Sequence, residues 1–291
     1  MCPDKSQTSI TSNNLSQAIM FTVLKMGLAG ATQPIFVAKT HAQANLNLRL
    51  PQILAQTVKS PFKGVLPAVL REGKAPFKYV GAYLGNKAAT DVMAPLFNHQ
   101  SGYLYQSAIL LTRGGIAGIV EGVFSTGINA WRTYCITTKD GKSYANFLKQ
   151  GNDASMGSMS KKAFRGLGPT TFKQGVMTGL TFAALDLSNL YITPFLPEKM
   201  DDKAKRIIKS ISTGAMVATS VALFDTAIVH IQSAGANEGK SFYSHCTSIL
   251  KSHGLKGLVR GSGFNTVLLT IGTSVNALFF DSMRQNSSMQ R

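Results

Sequence analysis

The chain has 291 residues, with 30 Lys and Arg against 13 Asp and Glu and a net charge of +17, which suits nucleic acid, an anionic membrane surface or anionic small molecules. Only 15% of residues are charged and mean hydropathy is +0.07, so a basic but rather apolar chain points to a membrane more than to nucleic acid. Cys2, Cys135 and Cys246 lie far apart, which argues against a disulfide framework or a zinc knuckle.

The opening MCPDKSQTSITSNN is polar and without Arg; it predicts a tail that is neither a secretory signal nor a cleaved transit peptide. An apolar, small-residue-rich segment follows and closes in PIFVAKTHAQ, Pro34 to Gln43, where proline and a basic residue would also suit an ordinary helix end. Next comes PFKGVLPAVLREGKAPFKYVG, 61–81, expected as a short amphipathic helix, a basic or aromatic turn and Gly81. Residues 92–112 carry no Asp, Glu, Lys or Arg but include Asn, Gln, Ser, Thr and His, as in a spanning helix that lines a watery cavity.

The pattern then recurs. GINAWRTYCI from Gly127 and LFDTAIVHIQ from Leu223 align without gaps with the stretch from Pro34, at spacings of 93 and 96 residues. Lys39 and Arg132 share one position, Thr40 and Thr133 the next, then His41 and His230, then Gln43 and Gln232. SYANFLKQG…KKAFRG (143–166) and SFYSHCTSILKSHGLKGLVRG (241–261) repeat the middle element and end at Gly166 and Gly261, with Gly81 as their expected counterpart. Asp186 and Asp281 each lie twenty residues beyond their glycine. Small residues four apart, Gly114/Gly118 and Gly214/Ala218, predict close helix packing in lipid. The unit of helix, short surface helix and helix, three times over, predicts an all-α membrane protein of six transmembrane helices around a pseudo-threefold axis. Its divisions are a tail (1–14), repeats at 15–101, 102–192 and 205–285, and a C-terminal tail (286–291).

Two other readings are weighed. AIVHIQSAGANEGKS resembles strand, glycine loop and helix, but the loop has three residues between its glycines where a P-loop needs four. A nucleic-acid binder would interleave aromatics with Lys and Arg, whereas the Phe residues here sit mostly in or beside apolar segments. His245, Cys246 and His253 are expected as helix-surface residues rather than metal ligands.

At this point the chain resembles the mitochondrial carrier family over about residues 15–285. The family's unit motif is P-x-[DE]-x-x-[KR], often continuing to Gln, with [FY]-[KR]-G and E-G elements and a far-end [FY]-[DE]-x-x-[KR]. Phe62-Lys63-Gly64, Glu72-Gly73 and Phe280-Asp281-Ser282-Met283-Arg284 match these elements. The resemblance implies alternating access between a matrix gate and a cytoplasmic gate. At the matrix gate Pro34 kinks a span and the pair Asp225–Lys39 is intact, while Asn129–Ile228 has lost both charges. Phe36 has replaced the acid expected opposite Arg132, and burying one unpaired charge is costly; Arg132 is therefore expected to face water, another acceptor or the substrate. A pair here is worth at most about 4 kcal/mol before desolvation, which predicts a weakened gate braced by Gln43 and Gln232. Asp186, Asp281 and Arg284 are implied at the cytoplasmic gate.

Implied substrate contacts are Asn86 and Lys87, then Lys173, Gln174, Gly175 and Val176, then Asn265, with Arg132 below. The lysines argue for an anion. Gln174-Gly175-Val176 is similar to adenine nucleotide carriers, where glycine leaves room for a purine; Lys173-Gln174-Gly175 is similar to di- and tricarboxylate or keto acid exchangers. The expectation is a non-enzymatic, monomeric antiporter of an adenine nucleotide in the mitochondrial inner membrane. Its partners are the anionic substrate and lipids such as cardiolipin; no cofactor, metal or nucleic acid is expected. A carrier fold without transport is the lesser alternative.

Overall fold

The computed structural model describes residues 12–73, 84, 85, 88, 91, 103–138, 143–149, 155–233 and 241–288. Among them every regular element is helical, so the protein is all-α. In chain order these are α1 (Ser12–Ala31), α2 (Gln33–Ala44), α3 (Leu50–Lys59), α4 (Val65–Glu72), α5 (Tyr103–Thr137) and α6 (Tyr144–Leu148). Then come α7 (Met156–Ala163), α8 (Leu167–Tyr191), α9 (Asp202–Gln232), α10 (Phe242–Leu258) and α11 (Ser262–Ser288). Residues 227–232 are helical within α9, so the strand a P-loop requires is not formed there.

The helices touch in a closed ring: α1 against α4, α4 against α5, α5 against α8, α8 against α9, α9 against α11, and α11 back against α2. Of these, α2, α5 and α9 also meet one another. Pro34 lies in the first turn of α2 and has no N–H to continue α1; residues Ile19–Ala31 and Gln33–Ala44 meet at a 56° bend. A similar bend of 58° separates Asp202–Ala222 from Phe224–Gln232 without a proline. Helix α5 runs on through Gly127, where a Cβ would stand 3.1 Å from Ala163 O, so this glycine makes room for α7.

Three small apolar clusters dock the surface helices onto the ends of the long ones. Ile53 of α3 packs on Ala38 and Ala42 of α2. Phe147 of α6 packs on Trp131 and Tyr134 of α5. Ile249 of α10 packs on Ala227 of α9. The helices also expose large apolar side chains and bury polar ones. Ile19, Val23, Phe124, Phe172 and Val267 are exposed, whereas Gln33, Gln43, Ser125, Thr126 and Thr226 are buried. Only Ser107–Thr137 is by itself long and apolar enough to cross a membrane among the described residues, or up to three spans if each bent pair counts as one.

Candidate functional site

The convergence of α2, α5 and α9 collects the charged side chains. Lys39 on α2 donates to Asp225 Oδ2 on α9 at 2.8 Å and to Asn265 Oδ1 on α11 at 2.7 Å. The other carboxylate oxygen, Oδ1, takes Lys173 of α8. Asp225 is thus shared by two lysines from two helices. Lys39 and Asp225 are buried, while the Lys173 side chain keeps 20% of its surface exposed. Lys173, expected in the substrate site, and Lys39, expected in a gate, hold the same carboxylate. Asn265, expected to contact substrate, holds Lys39 instead.

Arg132 on α5 is buried with only 2% exposed, so it does not face water. Its guanidinium carbon lies 3.3 Å from the centre of the Phe36 ring, and Nη2 donates to Gln33 Oε1. The residue that removed the expected carboxylate therefore supplies a π face in its place. Gln33 in turn donates to Lys63 O, tying α2 to the turn before α4. Phe36→Leu is expected to cost about 2 kcal/mol, the upper part of the range for a desolvated cation–π contact. The cost should largely vanish once Arg132→Met has removed the cation, a double-mutant cycle readable by thermal unfolding in detergent.

Around this centre three basic residues clasp the ends of neighbouring helices. Lys63 Nζ donates to Ile136 O (3.3 Å) and Thr138 O (2.6 Å) at the end of α5. Arg165 Nη1 reaches Ser233 O, just past α9, at 3.5 Å. Arg260 donates through both terminal nitrogens to Leu46 O and Leu48 O, just past α2. Each is followed by a glycine in the left-handed region: Gly64 at φ 74°, Gly166 at 75° and Gly261 at 77°. That conformation disfavours any side chain, and each glycine leads directly into α4, α8 or α11.

This corrects the expected match of Gly81 with Gly166 and Gly261. Gly64 is the counterpart of Gly166 and Gly261, whereas Gly81, Asn86 and Lys87 lie outside the described residues. Lys173 stands seven residues past Gly166; at the same distance past Gly64 and Gly261 stand Arg71 and Leu268. Pro67 and Pro169, Glu72 and Gln174, and Gly73 and Gly175 then fall into register as well, a signal the sequence already carried. Arg71 is an unforeseen site residue, ion-paired through Nη2 with Glu72 Oε1 at 2.6 Å. Glu121 of α5, also unforeseen, is buried and accepts from Gln174 Nε2 at 2.7 Å.

Gly175 turns to α5 with Gln174. A Cβ on it would lie 3.0 Å from Ile119 Cγ1 and 3.2 Å from Gly115 O, so the missing side chain makes room for a helix rather than for a purine. Val176 beside it is partly buried. Gln232 Oε1 accepts from Thr133 at 3.3 Å and its Nε2 donates to Thr170 at 3.4 Å, joining α9 to α5 and α8. Gln43 makes no such link. Its amide has no hydrogen-bond partner; a Cβ on Gly261 would come within 3.0 Å of its Cγ, so it packs where it was expected to bond. Asp186 lies on α8, and Asp281 and Arg284 on α11; their side chains lie outside those described. His245 is buried rather than on a helix surface, and no group of metal-ligating side chains occurs among the described residues. Burial raises the pKa of the Cys246 thiol, leaving it a poor nucleophile.

No protein-family model matches the chain, and no curated protein matches its sequence.

Proposed function

We propose that the protein is a six-span transporter built like the mitochondrial carriers, moving an anionic metabolite across the mitochondrial inner membrane by alternating access. The observation that carries this reading is the cycle of clasped helix ends, each basic residue followed by a left-handed glycine, around a buried Lys39–Asp225 pair. Exposed apolar side chains and buried polar ones support a membrane setting, because lipid reverses the usual preference for polar surfaces. In this reading α4 begins the second span, α8 and α11 are the fourth and sixth, and the paired Lys39 and Asp225 close the matrix end.

Arg71 and Lys173, at equivalent positions of two repeats, are the proposed substrate cations; two charges on separate helices suit the spread charge of an adenine nucleotide. A second reading, a di- or tricarboxylate, is favoured by Gly175, which faces α5 and leaves no space for a base. The reading assigns no covalent step to any residue.

The test is uptake of labelled ATP into liposomes holding the purified protein, with internal ADP, ATP or citrate. ATP uptake lowered about tenfold or more by Arg71→Ala and by Lys173→Ala is expected, the size of effect that follows when a partly buried site forfeits one charge-assisted hydrogen bond. Citrate exchange without ATP uptake would select the second reading. Silence with every anion would overturn transport, and release from membranes by carbonate alone would overturn the spans.

A further inference from the structure

We infer that Asp225 is an internal competitor of the substrate: in this conformation it occupies Lys173 as an incoming anion would, so that binding is an exchange of one counter-ion for another. The inference takes its ligand, an anionic metabolite, from the transport reading. Its ground is the division of one carboxylate between two unequal lysines.

Lys39 is buried and has a second acceptor in Asn265. Lys173 pairs with Asp225 and retains 20% of its side-chain surface. An anion arriving from the accessible side therefore meets Lys173 first. If it takes Lys173, Asp225 still holds Lys39 and no buried charge is stranded, the condition that makes such an exchange inexpensive. Two lysines and one aspartate leave the cluster one positive charge in excess, so an added anion is drawn in. The exchange also loosens α8 from α9 while leaving α2 and α9 joined. Occupancy of the site is thereby coupled to the convergence of the helices through a single side chain.

Two variants should then shift affinity in opposite directions. Asp225→Asn removes the competitor and frees Lys173. Lys39→Gln leaves Asp225 to Lys173 alone and strengthens the competitor.

The experiment is equilibrium binding of labelled ATP, citrate and inorganic phosphate to the full-length protein in detergent. For whichever probe binds, Asp225→Asn is expected to bind about tenfold tighter, the equivalent of one partly hydrated ion pair released. Lys39→Gln should bind more weakly, and Asp225→Asn should change nothing in a Lys173→Ala background. Binding that Lys173→Ala weakens but Asp225→Asn leaves equal or weaker would overturn the inference and spare the transport reading. No binding of any probe, or binding indifferent to Lys173, would overturn both. If Asp225→Asn fails to fold, the sign of the Lys39→Gln change decides: tighter or unchanged binding overturns the inference.

Discussion

Asp225→Ala is expected to destabilise the protein far more than Lys39→Ala, although the two residues form one ion pair. Removing Lys39 leaves Asp225 on Lys173 and frees the Asn265 carbonyl, a loss of about 1–2 kcal/mol in charge-assisted hydrogen bonds. Removing Asp225 strands two ammonium groups. Lys173 can reach water through its exposed surface, but Lys39 keeps only an uncharged amide at 2.7 Å. An uncompensated buried charge costs about 3–5 kcal/mol. Thermal unfolding of the two variants in detergent should separate them clearly, and added anions should recover part of the loss in Asp225→Ala by neutralising Lys173. Equal losses would mean that the second lysine does not share the carboxylate.

Gly118→Ala is the second large effect. A Cβ on Gly118 would collide with the Gln174 carbonyl and stand 2.8 Å from Gly175 Cα. Both are backbone, so no rotamer change can relieve the contact and α5 must move away from α8. Overpacking of this kind costs about 3 kcal/mol. Separation would also pull Gln174 from Glu121 and displace Lys173 beside it. Gly168→Ala on the same helix α8 meets nothing within 4 Å and should be neutral or slightly stabilising. A large drop in thermal stability in Gly118→Ala, with Gly168→Ala normal, would locate the effect in this contact.

Much of the centre was legible because its parts recur in the sequence. The three aligned stretches place Lys39, Arg132 and Asp225 near one another, and Lys39 does meet Asp225. The spacing also showed that Arg132 lacks a carboxylate. It could not show that Phe36 would stack against Arg132, because a missing acid and a gained ring look alike when only charges are matched. The first repeat was misplaced for another reason. It offers two aromatic-basic stretches, Phe62-Lys63-Gly64 and Phe77-Lys78 before Gly81, and composition does not choose between them. The register of Pro67 with Pro169 and of Gly73 with Gly175 chooses Gly64, and its positive φ agrees. Gly175 abuts α5, which was not legible because spacing along a helix gives an angular position but not which neighbour occupies that side. Small residues served better as signals of close helix contact than as signals of ligand space, as Gly118 and Gly175 both illustrate.

The clasped helix ends have a bearing on how the chain holds its circular order. Lys63 reaches from the turn before α4 to the end of α5 and Arg165 from the turn before α8 to the end of α9, so each links stretches that follow one another along the chain. Arg260 reaches from the turn before α11 back to the end of α2, joining stretches far apart in the chain. There the side chain is an arginine whose two terminal nitrogens engage two carbonyls on the turn after α2. Covalent continuity guards two boundaries of the circle, and a planar two-pronged cation guards the third. Loss of that link, rather than of the other two, would let the ring of helices open between α11 and α2.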